Sequence, residues 1–224
     1  MASITDNPGS LILIPQELRD KILWFVIPEM GSPPISWASK STRKPNIDNH
    51  AFESERIKYD DSIQVHDPAH IGMPILHVNR QLRDETLRLM EHLNLPGERS
   101  YILDLMVVEE NELWPTWLYI PTLTPRIASL QVNIRTCGTA QPGSNPSNGF
   151  SEGCGGPPFI VHAFWNLLHS FLVGGPLARD ANKVGGVGVG GEVSVESLVI
   201  DIKTPDVPVE MIAPEKMVPD GKRF

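Results

Sequence analysis

"IASLQVNIR" occupies residues 127 to 135, and "VESLVIDIK" occupies residues 195 to 203. In the first, Leu130, Val132 and Ile134 alternate with Gln131, Asn133 and Arg135, the two-residue period of a half-buried strand. The second repeats its order: Ser, Leu, an aliphatic residue, Asn or Asp, Ile, then a base. Between them, "FIVHAFWNLLHSFLVGG" (159 to 175) predicts an amphipathic helix, with Pro158 at its start and Gly174 at its end. Strand, helix and strand in this order make a βαβ unit, so the two strands are expected to be parallel neighbours with the helix packed across them. The spacing of the copies far exceeds the 20 to 29 residues of a leucine-rich repeat, which favours a small mixed sheet over a solenoid.

Working toward the N-terminus, "YILDLMVV" (101 to 108) and "LWPTWLYI" (113 to 120) read as strands joined by "EENE". Pro115 places the second on an edge or at a bend, because proline cannot donate to the ladder. "MPILHVNRQLRDETLRLMEHL" (73 to 93) reads as one helix. Its expected inner stripe is Ile75, Val78, Leu82, Thr86, Leu89 and Leu93, with Arg80, Asp84 and Arg88 outside. "SLILIPQELRDKILWFVIPEM" (10 to 30) reads as a shorter helix from Pro15, whose ring presets the first turn. Leu18, Ile22, Phe25 and Val26 share one face, and Pro28 closes the helix. The fold class expected is α+β: N-terminal helices packed with a small mixed β-sheet containing one βαβ unit. The organisation expected is a helical region over 10–95, a small α/β region over 100–204 and a proline-rich tail over 205–224. The stretch 31–72 reads as a long surface insertion, and it and the loop 138–156 are expected to contribute little to stability.

Composition narrows the function classes. The chain has 224 residues, 19 basic against 27 acidic side chains, and a net charge of -8. Half of that excess sits between Asn46 and His70. No cluster of Lys and Arg supplies the basic stripe that a phosphate backbone requires, so no nucleic acid is expected as a partner. Nor is a membrane: no apolar run approaches the ~20 residues of a span. Cys137 and Cys154 flank one loop and read as reduced thiols rather than a disulfide framework. A cytoplasmic or nuclear location is expected.

Motifs that carry chemistry are weak. G-x-G-x-x-G occurs at Gly186, Gly188 and Gly191. It follows a loop and precedes a strand, whereas a dinucleotide fingerprint follows a strand and opens a helix, so it reads as a linker. His66, Asp67 and His70 lie in the acidic insertion, without the rigid set of three or four ligands that a metal needs. His162, Asn166 and His169 read as the polar side of a helix. No catalytic residue, metal site or cofactor is expected, and the chain is read as a non-enzyme. Trp114 and Trp117 are read first as core residues, with binding of a target protein as the alternative.

Two stretches together resemble an F-box. Ile14, Pro15, Glu17, Leu18, Ile22 and Leu23 follow its opening L-P-x-E-L…I-L pattern, with Ile14 in place of Leu. Val78, Arg80 and Arg83 follow its V-C-R-x-W-R pattern, with Asn79 for Cys and Leu82 for Trp. The combination is similar to the F-box-like proteins of filamentous fungi, which read L-P-x-E-L-R, then an insertion, then V-N-R-Q-x-R-x-E. The resemblance covers residues 11–27 and 74–135. Residues 28 to 73 intervene where an F-box has a short link. It implies an interaction adaptor that docks a Skp1-type protein and recruits an unknown protein target to a cullin ubiquitin ligase. The docking residues it implies are Leu13, Ile14, Pro15, Leu18, Ile22, Val78 and Leu82, with Leu18 and Ile22 packing helix 15–27 against helix 74–93 through Val78 and Leu82. The alternative is a small intracellular α/β ligand-binding domain or enzyme, its site in the glycine-rich loops after the parallel strands.

Overall fold

A computed structural model describes residues 11–27, 30–35, 43–45, 54–60, 73–109, 111–138, 159–176 and 192–203. The fold is α+β. Helix α1 spans Gln16–Val26, a short α2 spans Ile75–Val78, α3 spans Arg80–His92 and α4 spans Phe159–Gly174. Strands β1 (Arg43–Pro45) and β2 (Lys58–Asp60) pair antiparallel as a small ribbon. The main sheet holds β3 (Ser100–Val108), β4 (Glu112–Tyr119), β5 (Arg126–Cys137) and β6 (Ser194–Lys203), in the order β4-β3-β5-β6.

β3 and β4 form an antiparallel hairpin, while β5 lies parallel to β3 on its other side. β6 lies parallel to β5, Leu130 opposite Leu198 and Val132 opposite Ile200. The βαβ expectation of parallel neighbours is met. One residue of β4 is extra: Ile102 faces Tyr119 and Leu103 faces Trp117, so Leu118 forms a bulge.

β3 is central, and Tyr101 through Val108 are all buried. This is why its sequence is almost continuously apolar rather than alternating. Tyr101, Leu103, Leu105 and Val107 join Leu130 and Val132 in the largest core, closed by Ala163, Leu167 and Phe171 of α4. On the opposite face, Ile102 and Tyr119 meet Ile27, Met73, Leu76 and Met90 of the N-terminal helices. The helical region and the sheet therefore share a core.

The expected single helix 73–93 is two helices. Asn79 is extended (φ -157°, ψ 146°), and its side chain accepts from the Gln81 amide at 2.7 Å, capping α3. Asn94, two residues past the end of α3, has a φ of 54°, the left-handed conformation that often follows a helix.

The insertion 31–72 departs from expectation. Ile57 is fully buried in the largest core and bridges to Leu113, with Tyr59 packed alongside. Buried Arg43 stands 4.7 Å over the Trp114 ring and donates to Thr116 at 2.9 Å. Strands of three residues are too short to show a period, so this contribution left no pattern in the sequence. The loop 138–156 falls almost wholly outside the described residues, as do the glycines 186, 188 and 191, His66, Asp67, His70, Cys154 and the tail 205–224.

Candidate functional site

α1 is joined to α3 by a buried ion pair as well as by apolar contacts. Arg19 reaches Glu85 with two bonds, Nε at 2.9 Å and Nη2 at 2.7 Å, the fork-to-fork geometry that makes arginine pairs directional. Its remaining Nη1 donates to the carbonyls of Ile12 and Ile14, tying down the turn before the helix. Gln81 donates to the same carboxylate at 3.0 Å. The Arg19 hydrogen bond holds the Glu85 carboxyl below the usual carboxylate range, against the opposing push of burial. Both side chains are buried. Leu23 and Ile27 continue the buried stripe one and two turns on.

The inner stripe of α1 is thus Arg19, Leu23 and Ile27. The expected stripe was Leu18, Ile22, Phe25 and Val26. The two differ by one position, about 100° of rotation. In consequence the apolar side faces out: Leu18 is 49 % exposed, Ile22 40 % and Phe25 79 %. Val26 is exposed beside them, and Trp24 meets Phe25 edge-to-face at 5.0 Å. Leu13, in the 3-10 turn before the helix, is also exposed. Leu18, Ile22, Phe25 and Val26 thus form a partly exposed apolar side of α1, with Trp24 and Leu13 exposed near it.

Each residue of the predicted docking set can be placed. Leu13, Pro15, Leu18, Ile22 and Val78 are exposed, Ile14 is half-buried and Leu82 is buried. Helices α1 and α3 do pack together, but Leu18, Ile22 and Val78, the side chains expected between them, are exposed. Arg19 and Glu85 replace them, because a paired charge can be buried where an unpaired one cannot. Leu82 belongs to the interior and is corrected from a docking residue to a core residue.

The two tryptophans follow the first of their two readings. Trp114 is 0 % exposed, its Nε1 donating to Glu112 at 2.9 Å and its ring lying under Arg43. Trp117 is half-buried against Phe171 at 5.4 Å and Tyr101 at 6.2 Å. They point to opposite faces of β4 because they are three residues apart on one strand. Trp114 lies in the interior and Trp117 packs against the main core.

Sequence reasoning missed Arg19 and Glu85 as a pair, yet the signal was present. In L-P-x-E-L-R and V-N-R-Q-x-R-x-E, the final Arg and final Glu are Arg19 and Glu85. The Asn is the α3 cap, and the Gln is the second donor to Glu85. The polar letters of the motif build the joint between the two helices. A second paired charge lies across the sheet: Arg135 grips buried Asp104 at 2.7 and 2.6 Å and donates to the Pro34 carbonyl at 2.9 Å.

Among the described residues no group of three or more His, Cys, Asp or Glu could hold a metal ion, and no helix is long and apolar enough to cross a membrane. No known family, curated protein or solved structure matches this chain.

Proposed function

We propose that this chain is a protein-interaction adaptor that docks its partner on the outer face of α1. The observation that carries the reading is the stripe of Leu18, Ile22 and Phe25, exposed on a helix whose other side is locked by the Arg19–Glu85 joint. Clustered exposed apolar side chains on a rigid element mark interaction surfaces. A stripe at i, i+4 and i+7 is the pattern with which a helix enters an apolar groove. Rigidity adds to affinity, since an ordered helix loses little entropy on binding.

The F-box-like motif supplies the chemistry of the first candidate: a Skp1-type adaptor, which would link this chain to a cullin ubiquitin ligase in the cytoplasm or nucleus. Leu13, Ile14 and Pro15 flank the stripe and extend it toward the helix start. The target that such an adaptor would recruit is unassigned, since the tryptophans face the core.

The test is titration of a purified Skp1-type protein against the full chain by calorimetry. Leu18→Asp combined with Phe25→Asp should weaken binding by at least about thirtyfold, the effect of removing a central anchor. The melting temperature should stay unchanged, because both positions face solvent. Wild-type protein that binds no Skp1-type partner at tens of micromolar removes the ligase reading.

A further inference from the structure

The sheet has two edges, and they are built differently. β4 is protected along its length. Pro115 has no N–H to offer a further strand, and its carbonyl takes a bond from Arg43. The Leu118 bulge bends it, and the Leu118 carbonyl accepts from Gly31 at 2.8 Å. Ile57 bridges at Leu113. Gly31 approaches so closely that a Cβ there would lie 3.3 Å from the Leu118 backbone. These are the devices by which natural sheets blunt an edge.

β6 has none of them. It is ten residues long, without proline or bulge, and no described residue pairs with its outer side. Leu198, Val199, Ile200 and Ile202 are between 46 % and 69 % exposed. Leu198, Ile200 and Ile202 lie on the α4 face by register, yet none belongs to the core under α4. Of its charges, Glu196 and Lys203 flank this centre and Asp201 lies within it, on the face away from the α4 side.

We infer that β6 is a self-association edge, pairing antiparallel with β6 of a second copy about a two-fold axis at Ile200. Two-fold pairing keeps each side chain on its own face, so only registers that seat one residue on its own copy are allowed. Seating Ile200 on Ile200 puts Leu198 opposite Ile202 twice over and gathers six apolar side chains on one face. On the other face Val199 stands opposite Asp201, and Ser197 opposite Lys203, so no like charges meet directly. Moving the axis to Val199 sets Glu196 against Ile202. Moving it to Asp201 sets two aspartates against each other, which is destabilising. The Ile200 register keeps like charges apart and leaves the α4-side face wholly apolar, with its one charge-on-apolar pairing, Asp201 against Val199, on the other face, and it uses only residues 197 to 203 of β6. Charge pattern and apolar pattern therefore select the same partner, a second copy of this chain.

The experiment is sedimentation velocity on the full chain with substitutions at the axis. Wild-type protein should dimerise with a Kd on the order of 10 µM or tighter. Ile200→Lys and Ile200→Glu should each weaken self-association at least tenfold, because each sets a charge against its own copy. Mixing the two variants should restore the dimer, since Lys then faces Glu. Circular dichroism checks that both variants fold. Should they not, a nitroxide at Ser197 of otherwise wild-type protein should report about 20 Å between copies, six residues along the strand. A monomer at about 100 µM overturns the inference. So does a dimer insensitive to both variants, including one broken by Phe25→Asp, which would lie on α1. Failure of the mixture to restore the dimer overturns the register and with it the argument for self-pairing.

Discussion

α1 and the β3–β4 hairpin treat the same kinds of residue in opposite ways. α1 holds Leu18, Ile22, Trp24 and Phe25 in solvent and buries an arginine. The hairpin buries nearly everything, Trp114 and the charged Asp104 included. Side-chain polarity alone does not explain this. β3 lies between β4 and β5 with helices on both faces, so any residue there is buried whatever its type. α1 is peripheral and touches the molecule along one narrow stripe. In both regions the buried charge is answered by a partner distant in sequence, Glu85 for Arg19 and Arg135 for Asp104. Burial follows the position of an element, and pairing makes that burial tolerable.

The contrast breaks most visibly at Trp114. Trp114→Ala removes a fully buried ring that also stacks under Arg43, and should cost about 3–5 kcal/mol. That is a large share of the 5–15 kcal/mol typical of a domain. Urea unfolding measures it, and a loss below about 1 kcal/mol would show that the hairpin is not the stabilising centre.

A smaller effect is expected at the helix joint, and it depends on pH. Glu85 has its pKa lowered in the folded protein, chiefly by Arg19, from an ordinary value near 4.5. The unfolded chain therefore takes up the proton first. The stabilisation from this group is full above about pH 4.5 and is lost as pH falls through the lower, native value. In Glu85→Gln that part of the acid profile should flatten, with a reduced melting temperature at neutral pH. Parallel acid profiles for the two proteins would deny the joint its electrostatic role.

The smallest effect should come from Phe25→Ala. Its ring is exposed, so stability should change by no more than about 0.5 kcal/mol, far less than at Trp114 although both rings are aromatic. A loss above about 2 kcal/mol, by the same urea assay, would show that α1 uses its outer face for folding.

Much of this was legible in the sequence. The strands at 101–108, 113–120, 127–135 and 195–203 and the helix at 159–173 fall within a residue or two of the observed elements. Each is long enough to show its own period, and period is a local property. The Asn79 break was also local, a capping residue inside "HVNRQ" that the apolar stripe obscured. The helix is not packed quite as expected, however. α4 sits against Trp117 and Ile57 as well as β5, and leaves the α4 face of β6 open.

The sequence by itself determined the longer elements, the α+β class and the parallel β5–β6 pair, because chain periodicity and connection length constrain those directly. Tertiary structure alone decided which side of α1 faces inward. An amphipathic helix offers its apolar stripe to any surface, but the Arg19–Glu85 pair, 66 residues apart in sequence, rotates α1 by one position and turns that stripe outward. It also decided that Ile57 and Arg43, in a stretch without pattern, complete the β4 edge. Those choices rest on contacts between distant residues, and no window along the chain contains both partners.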